Sequence, residues 1–179
     1  MSSLTTESID PPAAGGRDVE QLQLVSFEVG NEQFGIDILV VQEINRVQQI
    51  TRVPQSPPCV KGVINLRGRI VPVVDLRQRL GLETTDYTSA SRIIVVEEDA
   101  RIIGFIVDKV NEVLRINTSI VDPAPDIVGN VTGDYIKGVG KLEDRLLILL
   151  DLSRLLDAQE LSQIDRVVND ATSSQDAGE

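Results

Sequence analysis

The sequence predicts an all-β fold made of two similar small barrels, with short helices and one helix near the C-terminus. Three observations carry this. Lys61–Leu80 occurs twice: shifted by 76 positions, Lys137–Leu156 aligns without a gap and eight of the twenty positions are identical, which reads as duplicated structure. Apolar residues come in short runs, such as Ile70–Val74 and Leu146–Leu150, bounded by polar turns, as strands are. Aromatics are 3% of the chain and Trp is absent, so the core must be built from Val, Ile and Leu, and β-branched residues favour sheet.

Residues 1–20 carry Pro11-Pro12, Gly15-Gly16 and little apolar area, too little to offset ordering entropy, and are expected to be a disordered tail. The folded domain is expected over residues 21–165. Leu22–Val29 and Gln33–Ile38 read as a hairpin around Gly30-Asn31. Asp37–Ile44 fits a strand or a helical turn. Ile50–Val53 reads as a short strand before a surface loop with Pro54, Pro57 and Pro58. Lys61–Leu66 and Ile70–Val74 flank the turn Arg67-Gly68. Pro72 has no N–H for a ladder, so its strand should lie at an edge or carry a bulge there. Asp75 and its counterpart Asp151 stand where a helix N-cap is wanted. The first barrel is expected mainly over 21–82.

Residues 83–91 read as a linker. Ile93–Val96 and Ile102–Val107 then form another hairpin. A second internal match appears here: Gly35 and Val41-Gln42-Glu43-Ile44 align with Gly104 and Val110-Asn111-Glu112-Val113 at an offset of 69. The two halves thus share element order, with seven extra residues in the loop within Asn117–Gly133 of the second half. The second barrel is expected mainly over 91–150. From Asp151 to about Asn169 the spacing of Leu155, Leu156, Leu161, Ile164, Val167 and Val168 fits a helix with one apolar face. Residues 170–179 are expected to be a polar tail.

Net charge is −11 with a pI near 4.5, which argues against nucleic acid and anionic membranes as partners. The absence of histidine removes Ser-His-Asp and Cys-His sites and the commonest zinc ligands. The single cysteine, Cys59, has no partner for an internal disulfide. Gly138-Val139-Gly140-Lys141 is followed by Leu where a phosphate loop needs Ser or Thr. The longest apolar run is too short to span a bilayer. No cofactor or metal is expected, and a soluble, cytoplasmic protein is. A carboxylate enzyme using pairs such as Glu97-Glu98 or Glu143-Asp144 is the alternative, and it lacks a visible partner geometry.

One part of the repeat does not read as scaffold. Asn65, Leu66 and Arg67 face Lys141, Leu142 and Glu143 in the second copy, a change of charge that the shared fold does not require. Two barrels side by side leave a groove in which such residues can grip a helix.

The chain resembles the CheW family of chemotaxis coupling proteins. The resemblance rests on Phe34-Gly35-Ile36-Asp37-Ile38, Val41-Gln42-Glu43-Ile44, Lys61-Gly62-Val63-Ile64-Asn65-Leu66-Arg67-Gly68, Val71-Pro72-Val73-Val74-Asp75-Leu76, Asp122-Pro123-Ala124-Pro125 and Tyr135-Ile136-Lys137-Gly138. It runs from about Leu22 to Leu156. It implies two five-stranded SH3-like barrels and a non-catalytic adaptor. Its partners would be the cytoplasmic tip of methyl-accepting chemotaxis receptors and the regulatory domain of the histidine kinase CheA, in arrays at the inner membrane. Carried over by position, Val41, Glu43, Asn65 and Arg67 would meet the receptor, and Val113 and Tyr135 the kinase. Arg69 departs from the family, which more often has a small or apolar residue there. An adaptor of a non-flagellar chemosensory system, for pili or development, is the related alternative. A CheV-like protein would need a receiver domain after Leu156, for which the chain is too short, and nothing kinase-like flanks the barrels.

Overall fold

The computed structural model describes residues 20–123, 127–128, 131–132 and 135–177. The expected N-terminal tail lies outside these residues apart from Glu20. In chain order the strands are β1 (Gln21–Val29), β2 (Glu32–Asp37), β3 (Val41–Arg46), β4 (Val60–Leu66), β5 (Arg69–Asp75), β6 (Arg92–Glu98), β7 (Arg101–Val107), β8 (Lys109–Asn117), β9 (Val121–Pro123), β10 (Ile127–Val128), β11 (Val131–Thr132), β12 (Ile136–Lys141) and β13 (Leu146–Leu150). Two α-helices join them, α1 (Leu76–Arg79) and α2 (Ala158–Ala177). Asp37–Ile44 is both of the things its sequence allowed: a 3₁₀ turn over Ile38–Val40, capped by Asp37, and then β3.

The strands form two main sheets, in the orders β8-β1-β2-β13-β12-β9 and β3-β6-β7-β5-β4. Each closes on itself. β8 and β9 are one path bent at the 3₁₀ turn Thr118–Ile120, and β9 pairs with β12. In the other sheet the chain beyond β3 returns at Thr51 to bridge Val63 of β4. These are two five-stranded barrels, here called barrel 1 (with β1) and barrel 2 (with β3). Gly62 and Gly138 sit at the closures. A Cβ on Gly62 would stand 2.1 Å from the Thr51 carbonyl oxygen, and one on Gly138 would stand 2.6 Å from that of Asp122. That is why Lys-Gly-Val recurs in both copies.

The barrels do not divide the chain at the linker as expected. The hairpin β1–β2 of the first half belongs with β8, β12 and β13 of the second. The hairpin β6–β7 belongs with β3, β4 and β5 of the first. The exchange is reciprocal in register. Phe34 and Gly35 pair in parallel with Ile148 and Leu149, while Gly104 and Phe105 pair in parallel with Val73 and Val74. Turn sequences specify antiparallel neighbours, but a parallel pairing has no turn to encode it. Bulges repeat too. The register slips past Gln42 and Asn111, and again past Lys61 and Lys137.

Pro72 lies on an interior strand rather than at an edge, since β5 stands between β4 and β7. It is tolerated because the β5–β7 ladder starts only at Val73, so no bond there is lost.

The core follows from the closure. Val71, Val73, Ile93, Val95 and Ile106 fill barrel 2, and Leu24, Ile116, Leu147 and Leu149 fill barrel 1. A larger cluster between the barrels contains Phe27, Phe34, Ile94, Val96 and Phe105. Strands such as β6 are therefore buried on both faces, which explains the unbroken run Ile93-Ile94-Val95-Val96.

Asp75 caps α1 through Arg77 N at 3.0 Å, and Asp151 caps a 3₁₀ turn over Leu152–Arg154 through Ser153 N at 3.1 Å. Helix α2 begins later than expected, at Ala158. Asp157 and Glu160 cap each other's backbone N–H at 2.7 and 3.0 Å, a capping box. The helix also continues beyond Asn169 to Ala177. No Gly or Pro interrupts it, so the stretch expected as a tail is helical as far as it is described. Its buried residues include Ile164 and Val167, its main strand neighbours are β5 and β4, and Leu161 packs on the core between the barrels. Arg79–Glu160 at 3.4 Å and Arg101–Asp165 at 3.0 Å tie it to barrel 2.

Candidate functional site

The β4–β5 turn stands out of barrel 2. Leu66 pairs with Arg69, leaving Arg67 (φ +49°) and Gly68 (φ +88°) as its two central residues. Both are left-handed, as in the turn type whose twist matches a hairpin. Arg67 holds this conformation at a steric cost that glycine would avoid. Asn65 stabilises the turn, its Oδ1 accepting from Gly68 N at 2.8 Å.

The Arg67 side chain is 75% exposed and forms an ion pair with Glu43 on β3. Glu43 faces it because the chain bulges at Gln42, setting Glu43 opposite Val95. Under the pair lies a cavity of about 140 Å³, bordered by Gln42, Leu66 and Arg69 and floored by Val71, Val95 and Ile102. Three of the four residues expected to meet a receptor, Glu43, Asn65 and Arg67, are thus gathered at one end of barrel 2. Val41 begins the same strand as Glu43, but it is half-buried against the core between the barrels.

The two residues expected to meet the kinase are not gathered. Val113, on β8, is 53% exposed and presents a side chain a partner can cover. Tyr135 is only 6% exposed, within the core between the barrels. Burial pushes its phenol pKa up, with Arg79 nearby acting in the opposite sense. Its carbonyl accepts from Asp151 N at 2.8 Å. Tyr135 is therefore a packing residue and not a docking side chain. The motif that contains it marks the entry to β12.

Two features escaped the sequence reading. Leu39 is 86% exposed on the 3₁₀ turn before β3. Ile38-Leu39-Val40-Val41 looks like an interior run, but Asp37 Oδ1 accepts from Leu39 N at 2.9 Å and turns the chain outward. The Asp two residues before Leu39 was the available signal. The second is a cavity of about 620 Å³ between the Thr51–Gln55 loop, β4 at Ile64 and Asn65, and α2 at Asp170 and Ala171. Among the described residues, no group of three or more His, Cys, Asp or Glu could hold a metal, and no helix is long and apolar enough to cross a membrane.

A profile of the CheW-like domain matches residues 23–160. The chain belongs to the CheW family. It is 40% identical to the chemotaxis protein CheW of Klebsiella aerogenes over 93% of this chain and 98% of that one. It is 36% identical to the chemotaxis protein CheW of Bacillus subtilis, over 76% and 88%. Among solved structures, the scaffolding protein TtCheW of Thermoanaerobacter tengcongensis matches with a TM-score of 0.73 and 34% identity, over 79% of this chain and 96% of that one. The CheW-like match ends three residues into α2. Most of that helix, including the end that borders the larger cavity, lies beyond it.

Proposed function

We propose that this CheW-family chain is a non-catalytic adaptor that couples the cytoplasmic tip of methyl-accepting chemotaxis receptors to the histidine kinase CheA. In this reading it works in signalling arrays at the inner membrane. The observation that carries the reading is the Glu43–Arg67 pair on a raised turn of a family-type barrel. The arginine is solvent-facing, its backbone is held in a conformation that costs energy, and the other copy of the turn has no equivalent. Strained backbone of this kind is found where function keeps it. The receptor tip docks across Arg67, Glu43 and the cavity beneath them, and Val41 supports the strand. The kinase's regulatory domain packs against barrel 1 on the side of Val113.

The test is reconstitution. Kinase activity is measured with receptor membranes alone, with this protein alone, and with both. Activation only in the three-way mixture, lost with Arg67→Ala, is the expected result. Equal kinase activity without this protein overturns the adaptor reading.

A further inference from the structure

The two barrels supply an internal comparison for every charge at the docking end. Glu43 faces Val95 across β3–β6, and Glu112 faces Ser26 across β8–β1. These are the same place in the two barrels, displaced by 69 residues on both strands. Arg69 on β5 corresponds in the same way to Arg145, displaced by 76.

In barrel 1 the cations of the turn are neutralised within the chain. Arg145 lies 3.6 Å from Glu112 and 3.3 Å from Asp144, and Lys141 lies 3.2 Å from Asp122. In barrel 2 Glu43 is taken by Arg67, which stands where barrel 1 has Glu143. Arg69 is exposed and, among the described residues, has no ion-pair partner. It borders the apolar-floored cavity of about 140 Å³. The surrounding segment is cationic. From Val41 to Asp75 there are five Lys or Arg (Arg46, Arg52, Lys61, Arg67, Arg69) against Glu43 and Asp75, net +3, in a chain of −11.

We propose that Arg69 is the receptor-selecting cation of this adaptor, completed by a carboxylate that the docked partner brings. The inference rests on the receptor reading above and adds the chemistry of the partner. The partner is a helix with an acidic residue three or four positions from an apolar one, the spacing that places both on one face. The apolar side chain enters the cavity over Val71, Val95 and Ile102, and the carboxylate meets Arg69 at its rim. An arginine fork suits a carboxylate and remains charged at any working pH. The net positive segment draws an acidic helix in an otherwise acidic protein and fixes its orientation.

The experiment measures binding of a soluble receptor-tip fragment to the full chain at low and at raised salt. The variants are Arg69→Ala, Arg69→Lys and Arg69→Glu, with melting temperature recorded for each. The expected result is about a tenfold loss for Arg69→Ala, a larger loss for Arg69→Glu and partial retention for Arg69→Lys. Arg69→Ala should also bind with a flatter salt dependence, at unchanged melting temperature. A merely structural arginine would move the melting temperature and leave the salt dependence alone, which overturns the proposal. Wild-type-like affinity and salt dependence in Arg69→Ala, alongside lost binding in Arg67→Ala, overturns it while leaving the receptor reading intact. No binding of the fragment by the wild-type chain overturns both.

Discussion

Arg77 grips Asp108 with two arms of its guanidinium, Nε to Oδ1 at 2.9 Å and Nη2 to Oδ2 at 2.8 Å. Asp108 joins β7 of barrel 2 to β8 of barrel 1, and its Oδ2 also accepts from Gly30 N, in the β1–β2 turn, at 2.8 Å. The third arm of Arg77 donates to the Glu83 carbonyl at 2.7 Å, which anchors the linker. One side chain therefore stitches both barrels and the segment between them. Because the pair is partly shielded and all three guanidinium nitrogens donate, Arg77→Ala should cost about 2 kcal/mol. Arg77→Lys should recover part of this, having the charge without the fork. Urea denaturation checks both, and a loss under about 0.5 kcal/mol would class the pair with ordinary surface bridges.

Arg67→Gly separates folding from docking. Glycine adopts the left-handed φ at no steric cost, so the variant should be at least as stable as the wild type. Removing the guanidinium should nonetheless abolish receptor-dependent kinase activation. Melting temperature and the three-way kinase assay, run on one preparation, are the measurements. A large fall in melting temperature would make Arg67 a structural residue.

The barrel closures give the opposite pattern. Gly62→Ala and Gly138→Ala each drive a methyl into a carbonyl oxygen of the closing segment, with no flexible side chain to yield. Each should destabilise by about 2 kcal/mol or more, and exchange of the amides near Thr51 or Asp122 should accelerate in the matching variant. A neutral outcome at Gly62 would mean that the Thr51–Val63 bridge contributes nothing to stability.

Both tyrosines hold their protons more tightly than free phenols do. Burial is the main cause at each. At Tyr87, Asp75 adds repulsion of the phenolate and accepts the hydroxyl's hydrogen bond at 3.1 Å. A phenol whose pKa is raised by folding stabilises the native state below its unfolded value, about 10, and that contribution is lost as pH climbs above it. Trp is absent and these are the two tyrosines, so near-ultraviolet tyrosinate absorbance is a clean readout. It should stay flat through pH about 10 and rise together with unfolding. Tyr87→Phe should cost about 1 kcal/mol at neutral pH by leaving buried Asp75 short of a donor.

The repeat, the hairpins and both Asp caps were legible because each is written locally: a turn dipeptide between apolar runs, or an acid before a helical leucine. The charge contrast between Arg67 and Glu143 likewise singled out the turn that the structure raises. What was not legible is non-local. The parallel pairings of β2 with β13 and β7 with β5 bring together residues more than thirty positions apart, and no local motif selects between equivalent hairpins. The burial of Tyr135 was not legible for a related reason. Its motif marks a place in the chain, while its burial depends on which barrel the neighbouring strands join. Arg69 became informative only once its counterpart Arg145 could be seen paired with Glu112 and Asp144.

The reciprocal exchange of hairpins has a consequence for synthesis. When the ribosome has released residues through the linker, β1 and β2 are complete but the strands that flank them in barrel 1 do not yet exist. β3, β4 and β5 lack their middle pair, β6 and β7. Barrel 2 cannot close until β7 emerges, nor barrel 1 until β13 does, so folding waits on contacts distant in sequence, which are slow to form. Until then each half presents unpaired strand edges. A chain cut in the linker should leave two fragments that fold only around one another. Duplication has produced one interlocked object, and half of its coding sequence specifies no barrel at all.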